Sequence, residues 1–293
     1  MFKLKTILAS IALLASVSVN AQLLYKVEGN GLKSPSYIFG THHIAPLSFI
    51  DKTGAGKPFT EAEQVVGEID MTQDQMALGM AMQPHMMAPA DSTLSKIISP
   101  EDFTIISEEF KKWAPAPGME LKMLDAMKPN VVTSMVAIGM AAQEMPGFNP
   151  QEQLDTYFQF QGKNTGKKII PLETADYQAS ILFDFTPIAY QAESLVEMLK
   201  DPEKSIQATK ELTAAYEAQD LDKMSELSSK DNEHPEFMEA LVDKRNAEWL
   251  QKLPSIMNDA PSFIAVGALH LAGDKGIIEG LRKAGYTVTP VKQ

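Results

Sequence analysis

Short apolar runs separated by long stretches of helical period limit what this chain can fold into. Residues 37–39, 64–69, 168–172 and 262–266 are rich in β-branched or aromatic side chains, and each is interrupted by Gly or followed by a polar residue. That is the pattern of buried strands. Between them, apolar residues recur three or four apart, as at Leu124, Met127, Val131, Met135 and Ile138, which predicts a helix with one apolar face. Residues 188–227 are dominated by Ala, Glu, Gln, Lys and Leu and favour helix on propensity as well. Residues 276–283 read as a helix stopped by Gly285, and 286–288 as a resumed strand. Strands alternating with helices predict an α/β fold: a mostly parallel central sheet with packed helices and large helical insertions.

Residues 1–21 stand apart. Lys3 and Lys5 precede an apolar run over 7–17 that ends in Val19-Asn20-Ala21, the pattern of a cleaved secretory leader and too short for a comfortable membrane span. Cleavage is expected before Gln22, which leaves residues 22–293 as a single domain, periplasmic or secreted and without stable membrane insertion. Pro115–Gly118 and Glu144–Gly147 punctuate the helical region as turns, and no Pro-, Gly- or Ser-rich linker divides it.

Composition then narrows the chemistry. The 293 residues carry a formal charge of −12, which repels phosphate backbones and anionic lipid, so no nucleic-acid partner is expected. With no cysteine, thiolate metal sites, disulfides and cysteine nucleophiles are excluded, and any metal must be held by His, Asp or Glu. Gly54-Ala55-Gly56-Lys57 lacks the opening Gly of a phosphate loop and runs into Pro58, so it reads as a turn. No Gly-x-Ser-x-Gly elbow and no His-Glu-x-x-His helix occurs.

One device appears twice: apolar strand, Gly, two residues, His. It ends in Gly40-Thr41-His42-His43 near the start and in Gly267-Ala268-Leu269-His270 near the end. In an open α/β sheet, ligands bind beyond the carboxyl ends of the strands. Four strands deliver His42 and His43, Glu68, Glu173 and His270 there. Two imidazoles and two carboxylates suit a divalent ion such as Mn, Co or Zn, or they cap loops and helix starts. Of the adjacent pair, His43 is expected to face the site, by register with His270, because side chains alternate along an extended segment. Arg245, in a helix expected over 237–250, would clamp a substrate carboxylate, orient Glu68 or Glu173, or form an internal ion pair.

The block around Gly40–His43, Glu68 after Val-Val-Gly, Leu172-Glu173-Thr174 with Gln178, Arg245-Asn246 with Trp249, and Val266–Gly273 with Gly276 and Gly285–Val288 resembles the TraB/PrgY/GumN family across essentially the whole mature chain. That family includes the Tiki proteins, described as metal-dependent proteases using two Gly-x-x-His motifs and a glutamate. It is grouped with erythromycin-esterase-like and ChaN-like α/β folds.

The resemblance implies His43 and His270 as metal ligands or catalytic histidines, with Glu68 as a further ligand or general base; Glu173 and Arg245 are expected as catalytic groups in the same cleft, with His42, Gln178 and Asn246 beside the substrate. The expected activity is a metal-dependent hydrolase, a peptidase of the Tiki type. Its rivals are a protein that binds or sequesters a peptide in the same cleft and a hydrolase of a non-peptide ester. Met71, Met76, Met80, Met82, Met86 and Met87, with His85 among them, suggest copper less than a flexible apolar wall, since Met123, Met127, Met135 and Met140 show methionine used freely elsewhere.

Overall fold

The apolar runs become strands, and a further one precedes them. The computed structural model describes residues 22–230 and 234–292, so the leader expected over 1–21 lies outside the described residues. The strands are β1 (Leu24–Glu28), β2 (Ser36–Thr41), β3 (Gln64–Gly67), β4 (Lys168–Pro171), β5 (Ser262–Gly267) and β6 (Thr287–Pro290). They form one six-stranded sheet in the order β4-β3-β5-β2-β1-β6. β4, β3, β5 and β2 run parallel, and β1 is antiparallel to both β2 and β6. The fold is α/β.

Burial follows from that topology. Every position of β3 is buried, as are five successive positions of β5, because helices cover both faces of the parallel part. Val65 faces the helix Leu154–Asn164, which approaches so closely at Gly162 that a Cβ there would meet Val65 Cγ2 at 2.6 Å. Gln64, pointing to the other face, donates to the carbonyl of Ile256 on the helix Arg245–Asp259 at 2.8 Å. A second apolar core is purely helical and is built largely from Pro100–Trp113, Pro129–Glu144 and Ile188–Lys200. Among the described residues no helix is long and apolar enough to cross a membrane.

Several boundaries differ from expectation. The helix expected over 124–138 begins only at Pro129, and Leu124 closes a separate 3-10 turn, Leu121–Leu124. Proline is suited to the first helical position and drives the residue before it into an extended conformation, as Lys128 shows with ψ 146°. The helical propensity of 188–227 is realised as three helices. Asp201 caps the second just before Pro202, and the third begins after Gln219, whose φ is +57°. β3 ends at Gly67, short of the expected 69. Beyond it the Glu68 carbonyl still accepts the Glu173 N–H at 2.9 Å, which ties the two glutamate positions together.

Candidate active site

Because β2, β3, β4 and β5 are parallel, their carboxyl ends share one edge of the sheet. A pocket of about 480 Å³ opens there, lined by Thr41, His42, His43, Glu68, Asp155, Gln159, Gln178, Arg245 and His270 among others. Both members of the His42-His43 pair reach it, although strand alternation predicts only one. The strand ends at Thr41, and the chain turns immediately, with the Ala45 N–H donating to the His42 carbonyl at 3.0 Å, so alternation no longer applies.

Arg245 is the hub of the site, and its five N–H groups are all engaged. Nε donates to both Glu173 oxygens at 3.1 and 3.0 Å. Nη2 donates to Glu173 Oε1 and to Glu68 Oε2, both at 2.6 Å. Nη1 donates to the Leu241 carbonyl at 2.9 Å and to His270 Nε2 at 3.1 Å. The guanidinium also lies 4.7 Å from the Trp249 ring centroid, and Trp249 Nε1 donates to Glu173 Oε2 at 3.1 Å. With every donor occupied, Arg245 cannot clamp a substrate carboxylate in this arrangement. It orients Glu68, Glu173 and His270 instead.

The placement of Arg245 depends on a local irregularity. A π-helical turn, Glu239–Lys244, joins the helix Pro235–Met238 to Arg245–Asp259, so the helix expected over 237–250 carries an extra residue just before the arginine. Such turns re-aim the side chains that follow.

His270 sits on a 3-10 turn, Ala268–Leu271, directly after β5. Asn246 donates through Nδ2 to the carbonyls of His270 and Lys275, leaving its Oδ1 to accept the His270 Nδ1–H at 2.7 Å. That fixes the neutral tautomer with its lone pair on Nε2, facing Arg245. Burial lowers the His270 pKa to about 4, consistent with a neutral ring. Asn246 is fully buried behind the imidazole and does not line the pocket, so it positions His270 rather than meeting substrate. Glu173 likewise lies behind Arg245, outside the lining, with burial pushing its carboxyl upward and Arg245 opposing that rise.

Glu68 faces the pocket. Burial alone would raise its carboxyl, but His270 when protonated, Arg245 and the Gly267 N–H, which donates to Oε1 at 2.9 Å, together lower it to about 2. Gln178 donates to Glu68 at 2.9 Å and to Glu173 at 3.1 Å, so it braces the two acids from the pocket wall. His43 moves the other way. Asp155 beside it, with Oδ2 3.3 Å from Nδ1, holds its pKa up to about 9, although 69% of the side chain is open and water screens part of that attraction. His42 is lowered to about 4, chiefly by burial, and its Nε2 lies 3.4 Å from Thr213 Oγ1.

A family model matches residues 23–290. The chain belongs to the TraB/PrgY/gumN family. No curated protein and no solved structure matches it.

The ion that the family resemblance implies was expected on His43, His270 and Glu68. Among the described residues no three His, Asp or Glu side chains are gathered as a ligand set. The orientations explain why. His270 Nδ1 is bonded to Asn246, its Nε2 faces the positive guanidinium, and Glu68 shares that guanidinium. In this arrangement the donors do not fit an ion.

Asp155 and Gln159 are site residues that the sequence reading missed. Both lie on the helix Leu154–Asn164, four positions apart and hence on one face. A pair of polar residues at that spacing in a run containing Leu154, Tyr157 and Phe158 was the available signal. The methionine wall is present in part. Met71 and Met82 line the pocket beside Leu78, whereas Met76 and Met80 on the helix Gln75–Met86 point outward. His85 lies between Asp184 and Asp176, outside the pocket lining.

Proposed function

We propose that this pocket is the active site of a hydrolase acting on peptide-like acyl substrates. The observation that carries the reading is that Glu68 and His43 line the same pocket, a carboxylate locked in place by Arg245, Gln178 and the Gly267 N–H and an imidazole held by Asp155. The pKa displacements keep Glu68 ionised and His43 protonated at neutral pH, the protonation states that a base and an acid need before the reaction. Glu68 accepts a proton from a water as its oxygen attacks the acyl carbon, and protonated His43 returns a proton to the departing amine or alcohol. The surrounding apolar side chains, including Leu78, Met82, Leu182 and Leu212, suit an apolar substrate residue.

No step is routed through a metal. His43, Glu68 and His270 are the residues that would hold an ion were Arg245 to turn away, so added Mn, Co or Zn is an arm of the test. The protein is incubated with peptide and ester panels with and without each metal, and new termini are sought by mass spectrometry. Cleavage is expected, with Glu68→Gln and His43→Ala each lowering kcat by about 10²–10⁴-fold. Wild-type rates in both variants, or no cleavage in any arm, would defeat the reading. Capture without turnover is favoured by one observation, the low pKa of Glu68, which weakens it as a base.

The leader pattern over 1–21 supports an exported protein. Sequencing the mature N-terminus tests this, with Gln22 expected first.

A further inference from the structure

We infer that the side-chain amide of Gln159 donates a hydrogen bond to the carbonyl oxygen of the bound substrate, at the foot of Glu68. Gln159 is only 2% exposed, yet it lines the pocket. Its Oε1 accepts the backbone N–H of Met71 at 2.8 Å. Only the carbonyl end of an amide can do so, and the orientation of the group is thereby fixed. Nε2 must face the opposite way, and it packs over the bare Cα of Gly67, where a Cβ would stand 2.3 Å from it. Glycine at 67 therefore leaves room for this amide beside the residue that precedes Glu68.

Among the described residues no acceptor takes the Nε2 hydrogens. The sealed side-chain polar atoms without a partner are Thr41 Oγ1, Thr133 Oγ1 and Asp155 Oδ1, and Nε2 is not one of them, so it is not cut off from water, and Gln159 itself lines the pocket. The nitrogen donors around the two acids are committed: Arg245 to those acids, the Leu241 carbonyl and His270, Gln178 to Glu68 and Glu173, and Asn246 to two backbone carbonyls, while the unpartnered Thr41 hydroxyl is sealed from solvent. Gln153 also reaches the pocket, but no side-chain hydrogen bond among the described residues fixes its direction. Gln159 is thus an oriented donor without a protein partner in the pocket lining, the kind of group that can stabilise charge developing on a carbonyl oxygen.

The catalytic part of this assignment rests on the hydrolase reading, so the test separates the two. Gln159→Glu keeps the acceptor for Met71 and removes the donor, while Gln159→Met removes both. Each is expected to lower kcat by about 10²–10³-fold with KM changed little when assayed well below its Tm, and Gln159→Glu to lose some Tm because it buries a carboxylate near Glu68. A phosphinate peptide, which mimics the tetrahedral adduct, should lose the same factor of affinity in Gln159→Met. Wild-type kcat in Gln159→Glu, or a loss confined to Gln159→Met that tracks its Tm, overturns the assignment while leaving the hydrolase intact.

Should the wild-type protein cleave nothing, calorimetry compares a peptide with its reduced-amide analogue, which lacks one carbonyl. A preference for the peptide that disappears in Gln159→Met supports the donor as a binding group. Equal binding of the two, or none, overturns it.

Discussion

Arg245 holds three partners that would otherwise be incompatible: two carboxylates that repel one another and an imidazole kept neutral. A buried cation so placed is difficult to replace, because removing it leaves two acids facing each other away from water. Arg245→Met is expected to destabilise the fold by about 3–5 kcal/mol and to abolish activity, as read by denaturant unfolding and turnover. Arg245→Lys keeps the charge but supplies three donors in place of a planar fork, so it should recover part of the stability and little of the rate. Equal behaviour of lysine and arginine would show that charge alone matters. Glu68, Glu173 and His270 could be read from the sequence because each follows directly on an apolar strand, and strand ends are where α/β sites form. Asp155 and Gln159 could not, since the inward face of a helix is known only once the helix has been laid against the sheet. The sequence also left the three roles of Arg245 open, and they were separable only by counting its hydrogen bonds.

At the scale of elements, the π-helical turn Glu239–Lys244 is the feature whose removal is most informative. Each residue of an α-helix advances the next by about 100°, so deleting Val242 should restore regular winding and rotate Arg245 away from Glu68 and His270. The expected protein is folded by circular dichroism, inactive, and less stable than the wild type. Full activity would mean that the helix rewinds elsewhere at no cost. The apolar periods located four parallel strands and the last helix well. They missed β1, a five-residue strand with Lys26 and Glu28 in it that begins only two residues after Gln22. Composition over 188–227 favoured helix without locating the breaks at Asp201-Pro202 and Gln219, which local backbone geometry imposes.

For the whole molecule, the sheet edge sets a pH dependence of stability. His42 and His270 have folded pKa values of about 4, against about 6.5 when unfolded. Their contribution is complete above pH 6.5 and is lost as the pH falls toward 4, because the unfolded chain binds protons that the buried rings refuse. The loss is on the order of 3 kcal/mol for each ring. Glu68 adds to it below about pH 4.5, whereas His43 acts with the opposite sign and, being open to water, more weakly. Calorimetry at constant ionic strength should therefore show Tm falling steeply from pH 6.5 to 4, with a shallower slope in His270→Gln. A flat profile would contradict the burial of these imidazoles.

The strand order also has a consequence for synthesis. β5, made well after β1 to β4, inserts between β2 and β3. Until the ribosome delivers residue 267, the growing polypeptide can hold only two separate ribbons, β1 with β2 and β3 with β4, each presenting an unsatisfied rim. Such rims favour pairing with other chains, and the pocket at the sheet edge is completed only when β5 is in place.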